Sequence, residues 1–372
     1  MKENTIFNGE LLGTVLAVQA NFYRVQLDEG VRSPEVISYS PHHPITLPAD
    51  HLTLLCTRRT RLKKIGQQVM VGDRVIIEEA DWNGGRGAIA DVLPRNSQLD
   101  RPAIANVNQI LLVFAVADPP LEPLQLSRFL IKAESTGLDV VLCLNKCDLI
   151  TDTEKKDIGD RLQNWGYQSI FISVQNQINI NEISNYLNHK ITVIAGPSGV
   201  GKSSLINELI PDANLRVGHV SGKLARGRHT TRHVELFELP SGGLLADTPG
   251  FNQPDLSCTP EELIYYFPEA RKRLESGSCK FTDCLHRDEP DCIVGNDWER
   301  YEHYLEFLND AIAYQNYLKE QSDPESKLKV KAKGKGKNQY EPKLESKKYR
   351  RVSRRVQVQN LQDLDLENEE EM

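Results

Sequence analysis

The 372-residue sequence predicts a multidomain protein: a small all-β barrel (1–95), an α/β domain (96–257), a compact helical module (258–321) and a charged, disordered tail (322–372). Three observations carry this reading. Short runs rich in Val and Ile, broken by turns, fill residues 10 to 93. From about 104 the rhythm changes to apolar runs alternating with helical periodicity. After 322 the Lys/Gly/Glu-rich sequence has too little apolar content to build a core.

The first region holds the strand candidates 13–20 and 22–27, set around Asn21 like a hairpin, and Val71-Gly-Asp-Arg-Val75 turning into another strand. Asp81-Trp-Asn-Gly-Gly85 supplies a further turn. About five strands in roughly 80 residues suit a barrel of the OB type, whose surface commonly binds nucleic acid. Arg58-Arg-Thr-Arg61 with Lys63 and Lys64 is expected to line one of its loops.

In the second region, 109–116 and 139–144 are continuous apolar runs, as parallel strands buried on both faces require. Residues 124–136 between them have helical spacing. Further strands are expected at 169–172, 191–194 and 243–246, which makes a doubly wound α/β domain. Residues 260 to about 320 read as helical around a Cys/His cluster.

Composition bounds the function. Hydrophobic content of 39% and charged content of 26% are ordinary for a globular protein, so no composition-driven class such as a fibre is indicated. No run approaches the roughly 18 apolar residues of a membrane span. The first ten residues lack the pattern of a secretory or organellar address, so a cytoplasmic location and no membrane partner are expected. The net charge of −7 hides a segregation: thirteen Lys and Arg lie between Lys327 and Arg355 against Glu341 and Glu345, and the charges from Asp363 to Glu371 are all acidic. That distribution points to a phosphate-backbone partner, which the net charge alone would not.

The chemistry resides in three motifs of the α/β domain. Gly196-Pro197-Ser198-Gly199-Val200-Gly201-Lys202-Ser203-Ser204 follows one apolar run and opens a helix. Its glycines let backbone N–H groups turn onto a β-phosphate at a helix N-terminus. Lys202 is placed to neutralise β/γ charge, and the Ser203 hydroxyl to complete Mg²⁺ coordination. Asn145-Lys146-Cys147-Asp148 follows the run 139–144, and Asp148 can accept from guanine N1–H and N2 together, a contact adenine does not offer. Ser173 and Val174, after 169–172, are candidates for a backbone contact to the guanine oxygen. Asp247-Thr-Pro-Gly250 supplies Asp247 for Mg²⁺, through water, and the Gly250 N–H for a γ-phosphate. Together these motifs favour GTP over ATP, and Asp148 argues against a P-loop kinase or ATPase, the reading that nucleotide competition would decide.

Their order is unusual. The guanine-reading loop precedes the phosphate loop, so the domain is read as a circularly permuted P-loop GTPase domain. Between the phosphate loop and Asp247 lies Gly227-Arg-His-Thr-Thr-Arg232, where Thr230 or Thr231 could meet Mg²⁺ and His229 is the catalytic candidate for orienting water. The residue after Gly250 is Phe251, which has no group to position that water where many GTPases carry glutamine.

Cys279-x4-Cys284-x-His286-x5-Cys292 places three thiols and one imidazole within fourteen residues, the donor set of a structural Cys₃His zinc site. Cys56, Cys143, Cys147 and Cys258 are scattered and read as ordinary residues, and His42 and His43 as turn residues.

With these residues in view, 11 to 320 resembles the bacterial ribosome small subunit-dependent GTPase family, also called RsgA or YjeQ. The match rests on Asn145–Asp148, Gly196–Ser203, Gly227–Thr231, Asp247–Gly250 and Cys279…Cys284-Leu-His286…Glu289-Pro-Asp-Cys292, in that order. The resemblance implies a GTPase of late 30S subunit maturation that binds GTP, Mg²⁺ and one structural Zn²⁺. It implies docking on 16S rRNA near the decoding region, and hydrolysis when the subunit stimulates it. His229 matches the family's switch-loop histidine, and Phe251 its apolar residue after DxxG. Arg232 departs from the threonine run of many members, which leaves both Thr230 and Thr231 open as the metal contact. The protein is expected to act as a monomer. The alternative reading is a nucleotide-stabilised RNA-binding assembly protein with little turnover. The tail after 322 lies outside the resemblance.

Overall fold

The structure is a computed structural model that describes residues 11–28, 53–100, 102–210, 234–247, 256, 258–322, 328–333 and 337–342. Residues up to 311 form one compact unit, and 312–372 a second.

The first unit opens with a closed barrel of β1 (Leu11–Gln19), β2 (Phe22–Leu27), β3 (Thr53–Arg58), β4 (Arg74–Asp81) and β5 (Arg86–Val92), in the order β1-β2-β3-β5-β4. β3 pairs with β5 in parallel and the other neighbours are antiparallel, the arrangement of an OB-type barrel. Alternate residues Val15, Tyr23, Val25, Leu54, Cys56, Val75, Ile77 and Ile89 fill its interior. Burial pushes the Cys56 thiol up to about 11, which suits a core residue. The basic run expected in a loop instead forms a one-turn helix, α1 (Thr60–Lys64). Leu62 is fully buried and pins that turn to the barrel, leaving the cations outward.

The short hairpin β6 (Gln98–Asp100) and β7 (Ala103–Ala105) joins the barrel to the α/β domain. Arg95 clamps the junction: it donates to the fully buried Asp73 carboxylate at 2.7 and 2.9 Å and to the Gln68 carbonyl.

The α/β domain contains β8 (Gln109–Ala115), α2 (Pro123–Glu134), β9 (Asp139–Asn145), α3 (Asp152–Asn164), β10 (Ser169–Phe171), α4 (Ile180–Leu187), β11 (Ile191–Ala195), α5 (Lys202–Leu209), β12 (Leu236–Glu238) and β13 (Leu244–Asp247). The sheet order is β10-β9-β8-β11-β13-β12, parallel except for β12. In β8 the period of two is explicit. Leu111, Val113 and Ala115 enter the core with α4 and α5, whereas Ile110, Leu112 and Phe114 enter the core with α2 and α3. The start of α3 is fixed by a capping box, Thr151 with Glu154.

The third region has α6 (Pro260–Leu263), α7 (Pro268–Leu274) and α8 (Tyr301–Ser322), with the Cys/His cluster in irregular backbone between α7 and α8. Phe267, Trp298, Tyr304 and Phe307 form its aromatic core. It docks on α2 and α3 through Ser127 and His303 at 2.9 Å, Arg128 and Asp310 at 2.7 Å, and Trp165 Nε1 donating to Glu299 at 2.8 Å. In the second unit, within the segment expected to be disordered, β14 (Leu328–Lys333) and β15 (Lys337–Pro342) pair as an antiparallel hairpin.

Candidate functional site: a permuted nucleotide site and a Cys₃His centre

Parallel strands deliver their following loops to one edge of the sheet, and open α/β sheets bind ligands there. The carboxyl ends of β8, β9, β11 and β13 share that edge, so chain order is irrelevant to where the motifs meet. Asn145 ends β9, Gly196 follows β11, and Asp247 ends β13 beside Ile194 of β11.

Asn145 is 3% exposed and holds three loops together. Its Nδ2 donates to the Val200 carbonyl at 2.8 Å, in the phosphate loop. Its Oδ1 accepts from the Lys146 N–H at 2.8 Å and from the Val174 N–H at 3.3 Å. Lys146 adopts φ 63°, and its Nζ bonds the carbonyl of Asp118, in the loop after β8. Asp148 lies in a short 3₁₀ turn, and its Oδ1 is buried without a hydrogen-bond partner. A buried acceptor left unmatched is costly, so this oxygen suits a donor brought by a ligand, as guanine's N–H groups are. Ser173 is fully buried, its Oγ accepting from the Asn176 N–H at 3.1 Å.

The phosphate loop has the backbone its glycines allow. Gly196 lies at φ +142° and Gly201 at φ +95°. A Cβ on Gly196 would stand 2.0 Å from the Val113 carbonyl oxygen, and one on Gly201 2.3 Å from Asn145 Nδ2. Val200, 1% exposed, anchors the loop in the core with Leu205 and Ile206 of α5. Lys202 Nζ donates to the Gly196 and Pro197 carbonyls at 2.8 and 2.6 Å, folding its charge over the loop. Ser203 and Ser204 lie in the first turn of α5, with Ser198 and Gly199 at the loop's crest. The side chain of Asp247 and all of His229, Thr230, Thr231, Gly250 and Phe251 lie outside the described residues.

At the Cys/His cluster the ligand atoms of Cys279, Cys284, His286 and Cys292 all lie within 4.8 Å of one another. His286 Nδ1 is 3.6 Å from the Cys279 and Cys284 sulfurs and 3.3 Å from that of Cys292. Cys279 and Cys292 sulfurs are 3.9 Å apart. For bonds of about 2.3 Å to sulfur and 2.0–2.1 Å to nitrogen, a tetrahedral ion needs such edges, so the group fits a metal of zinc's size. Burial lowers the His286 pKa, which favours the neutral, ligating imidazole. Among residues not singled out as ligands, Glu289 organises the loop. Its carboxylate accepts from the Leu285 N–H at 3.2 Å and from the Arg287 N–H, and stands 3.7 Å from the Cys284 sulfur. Burial opposes its charge, but these bonds prevail and hold its pKa below the usual range.

Arg300 is a buried charge that composition does not predict. Fully buried, it sits over the rings of Trp165, Tyr167 and Phe267 at 4.8, 5.6 and 4.9 Å and pairs twice with Glu269, at 2.6 and 2.5 Å. Nothing in its sequence neighbourhood marks it.

Comparisons with known proteins agree with this geometry. The RsgA GTPase family matches residues 92–257. The small ribosomal subunit biogenesis GTPase RsgA of Trichormus variabilis is 72% identical over 370 residues, covering 97% of this chain and 98% of its own. RsgA 1 of Nostoc sp. is 73% identical over 364 residues, with coverage of 97% and 98%. Among solved structures, YjeQ from Thermotoga maritima shares 30% identity at a TM-score of 0.65, over 82% of this chain and 99% of that one. YloQ, a circularly permuted GTPase, shares 31% at 0.64, over 84% and 98%. By sequence across nearly its whole length, and by a permuted fold with its motifs on one sheet edge, the chain belongs to the RsgA GTPase family.

Proposed function

We propose that this GTPase acts in late maturation of the 30S ribosomal subunit, docking on 16S rRNA near the decoding region and leaving after it hydrolyses GTP. The printed function of its relatives, small ribosomal subunit biogenesis, supports the setting. The observation that carries the nucleotide is the unpartnered Asp148 oxygen, beside an Asn145 that ties the guanine loop to the phosphate loop.

In this reading Asp148 accepts from guanine and backbone N–H groups of Gly199, Gly201, Lys202 and Ser203 cradle the phosphates, while a backbone contact from Ser173 or Val174 to the guanine oxygen would draw on N–H groups that here meet the Ile178 carbonyl and Asn145 Oδ1. Lys202 exchanges its two carbonyl partners for β/γ oxygens. Ser203, Asp247 and one of Thr230 and Thr231 would hold Mg²⁺, which offsets charge building on the phosphate oxygens when bound. His229 orients the attacking water, since Phe251 cannot. Equal stimulated turnover by His229→Ala and wild type would sink that role. Zn²⁺ on Cys279, Cys284, His286 and Cys292 fixes the irregular loop as a rigid docking surface. The protein works as a cytoplasmic monomer.

Steady-state GTP hydrolysis with and without purified 30S subunits tests the proposal. Stimulation of about tenfold or more, equivalent to about 1.4 kcal/mol of barrier and lost in Lys202→Ala, is expected. Phe251 favours the second reading, a nucleotide-stabilised RNA-binding assembly protein, and tight GTP binding without stimulation would support it.

A further inference from the structure

The order of strands in the sheet decides what a bound nucleotide must cross. β8 lies between β9, which leads into the guanine loop, and β11, which leads into the phosphate loop. A ligand held by Asp148 at one end and by residues 196–203 at the other therefore passes over the carboxyl end of β8. In a nucleotide that middle part is the sugar, between base and phosphates. The segment leaving β8 there is 116–120, and none of the three sequence motifs includes it.

This segment is tied to both loops. Val116 is 7% exposed and packs in the core cluster that holds Ala195 of β11. Its N–H donates to the Asn145 carbonyl at 3.0 Å. Two residues on, the Asp118 carbonyl accepts from Lys146 Nζ, which reaches across from the guanine loop. Pro119 meets the other side. Its Cδ lies 3.8 Å from where a Cβ on Gly199, at the crest of the phosphate loop, would stand.

The carbonyl and the carboxylate of Asp118 are not equivalent. The carboxylate stands 3.8 Å from Lys146 Nζ, and the Asp118 side chain is 92% exposed, so solvent leaves that charge pair little strength. The carbonyl bonds Lys146 directly, and its direction depends on the backbone of Asp118 at φ 48°. Asp, Asn and Gly accept that left-handed conformation, whereas a β-branched residue does not.

We propose that residues 116–120 form a third wall of the nucleotide site and that Asp118 is its positioning residue, whose backbone carbonyl holds Lys146 across the span between guanine and phosphates. The role rests on the nucleotide reading given above. Because the wall stands between the two ends of the ligand, it serves GDP and GTP alike.

Calorimetric titration of the full chain with GDP and with a non-hydrolysable GTP analogue tests the wall. Asp118→Asn and Asp118→Gly should keep both affinities within about threefold of wild type, and Asp118→Val should lose about tenfold or more for both. Asp118→Ala should lose about threefold or more, and it decides the comparison if the valine variant does not fold. Lys146→Met should cost about tenfold or more alone, but less than about threefold on top of Asp118→Val, because the lysine has already lost its tether. A general loosening of the site would instead leave the two losses multiplicative. Unchanged affinity in Asp118→Val, an equal loss in Asp118→Asn, or multiplicative losses overturn the proposal. A wild type that binds neither nucleotide overturns the nucleotide reading, and the wall with it; a wild type that binds both while Asp118→Val binds as tightly overturns the wall alone.

Discussion

Asn145 Nδ2 donates to the Val200 carbonyl at 2.8 Å, joining the loop that reads the base to the loop that grips the phosphates. Fifty-five positions separate the two residues, and permutation has reversed the usual order of their loops. The bond survives because both loops leave the same edge of a parallel sheet. Gly201 makes it possible, since a Cβ there would press on Nδ2 from 2.3 Å at a φ of +95°. Asn145→Ala leaves the buried Val200 carbonyl and Val174 N–H without their partner, a cost of about 1–3 kcal/mol. GTP affinity measured by titration should fall tenfold or more for Asn145→Ala and at least as far for Gly201→Ala.

Asp148 offers a second, chemically sharper outcome. Replacing it with asparagine keeps the shape but turns one acceptor into a donor. Guanine N2 then meets a donor, whereas xanthine presents a carbonyl oxygen at that position. Competition binding should show Asp148→Asn losing GTP affinity by at least about tenfold, or 1.4 kcal/mol, and gaining XTP. An unchanged preference would remove Asp148 from the base contact.

Much of this was legible in the sequence, for identifiable reasons. In β8, residues 110–115 are apolar at every position because both faces of a central parallel strand are buried, and that signal needs no tertiary knowledge. The glycine spacing of 196–201 reports a backbone shape directly. The basic run at 58–64 misled because a one-turn helix has a single buried residue, Leu62, too few for a period. β12 is three residues long and escaped notice for the same reason. Arg300 is the clearest failure. Composition says an arginine lies outside, and only three rings drawn from 165, 167 and 267 explain why it does not.

The zinc centre should be separable from the nucleotide site. Cys292→Ser should abolish the one bound zinc found by metal analysis, and chelation of the wild type should strip ordering from 279–292 as read by hydrogen exchange. GTP affinity should stay within twofold in both, because the module's aromatic core and its dock on α2 and α3 do not involve the ligands. Glu289→Gln should weaken zinc affinity by about 10–100-fold, since its backbone bonds shape the loop between Cys284 and His286.

His303 gives the interface a pH dependence. Burial, with Arg300 and Arg161 nearby, holds its imidazole below the usual value, against weaker opposition from Glu306 and Glu299. The folded protein therefore binds fewer protons here than the unfolded chain, whose histidine titrates near about 6.5. Stability is complete above that pH and is lost as pH falls from there toward the lowered folded value. Denaturant midpoints of wild type and His303→Gln should converge above about pH 7, apart from a constant offset for the lost Ser127 bond. Below about pH 6.5 the wild type should lose ground to the variant.

Arg300 and Glu269 set the largest stability effect. The guanidinium is fully buried, and the Glu269 side chain is only 13% exposed. Removing one partner strands the other charge inside, which costs about 3–5 kcal/mol, whereas removing both costs far less. Arg300→Met should therefore lower the denaturant midpoint of the first unit more than Arg300→Met/Glu269→Gln does, by an amount corresponding to about 2 kcal/mol or more. The methionine keeps contact with Trp165, Tyr167 and Phe267, so packing loss is shared by both variants and cancels in the comparison. Equal midpoints would mean that the aromatic rings, rather than the carboxylate, hold the arginine in place.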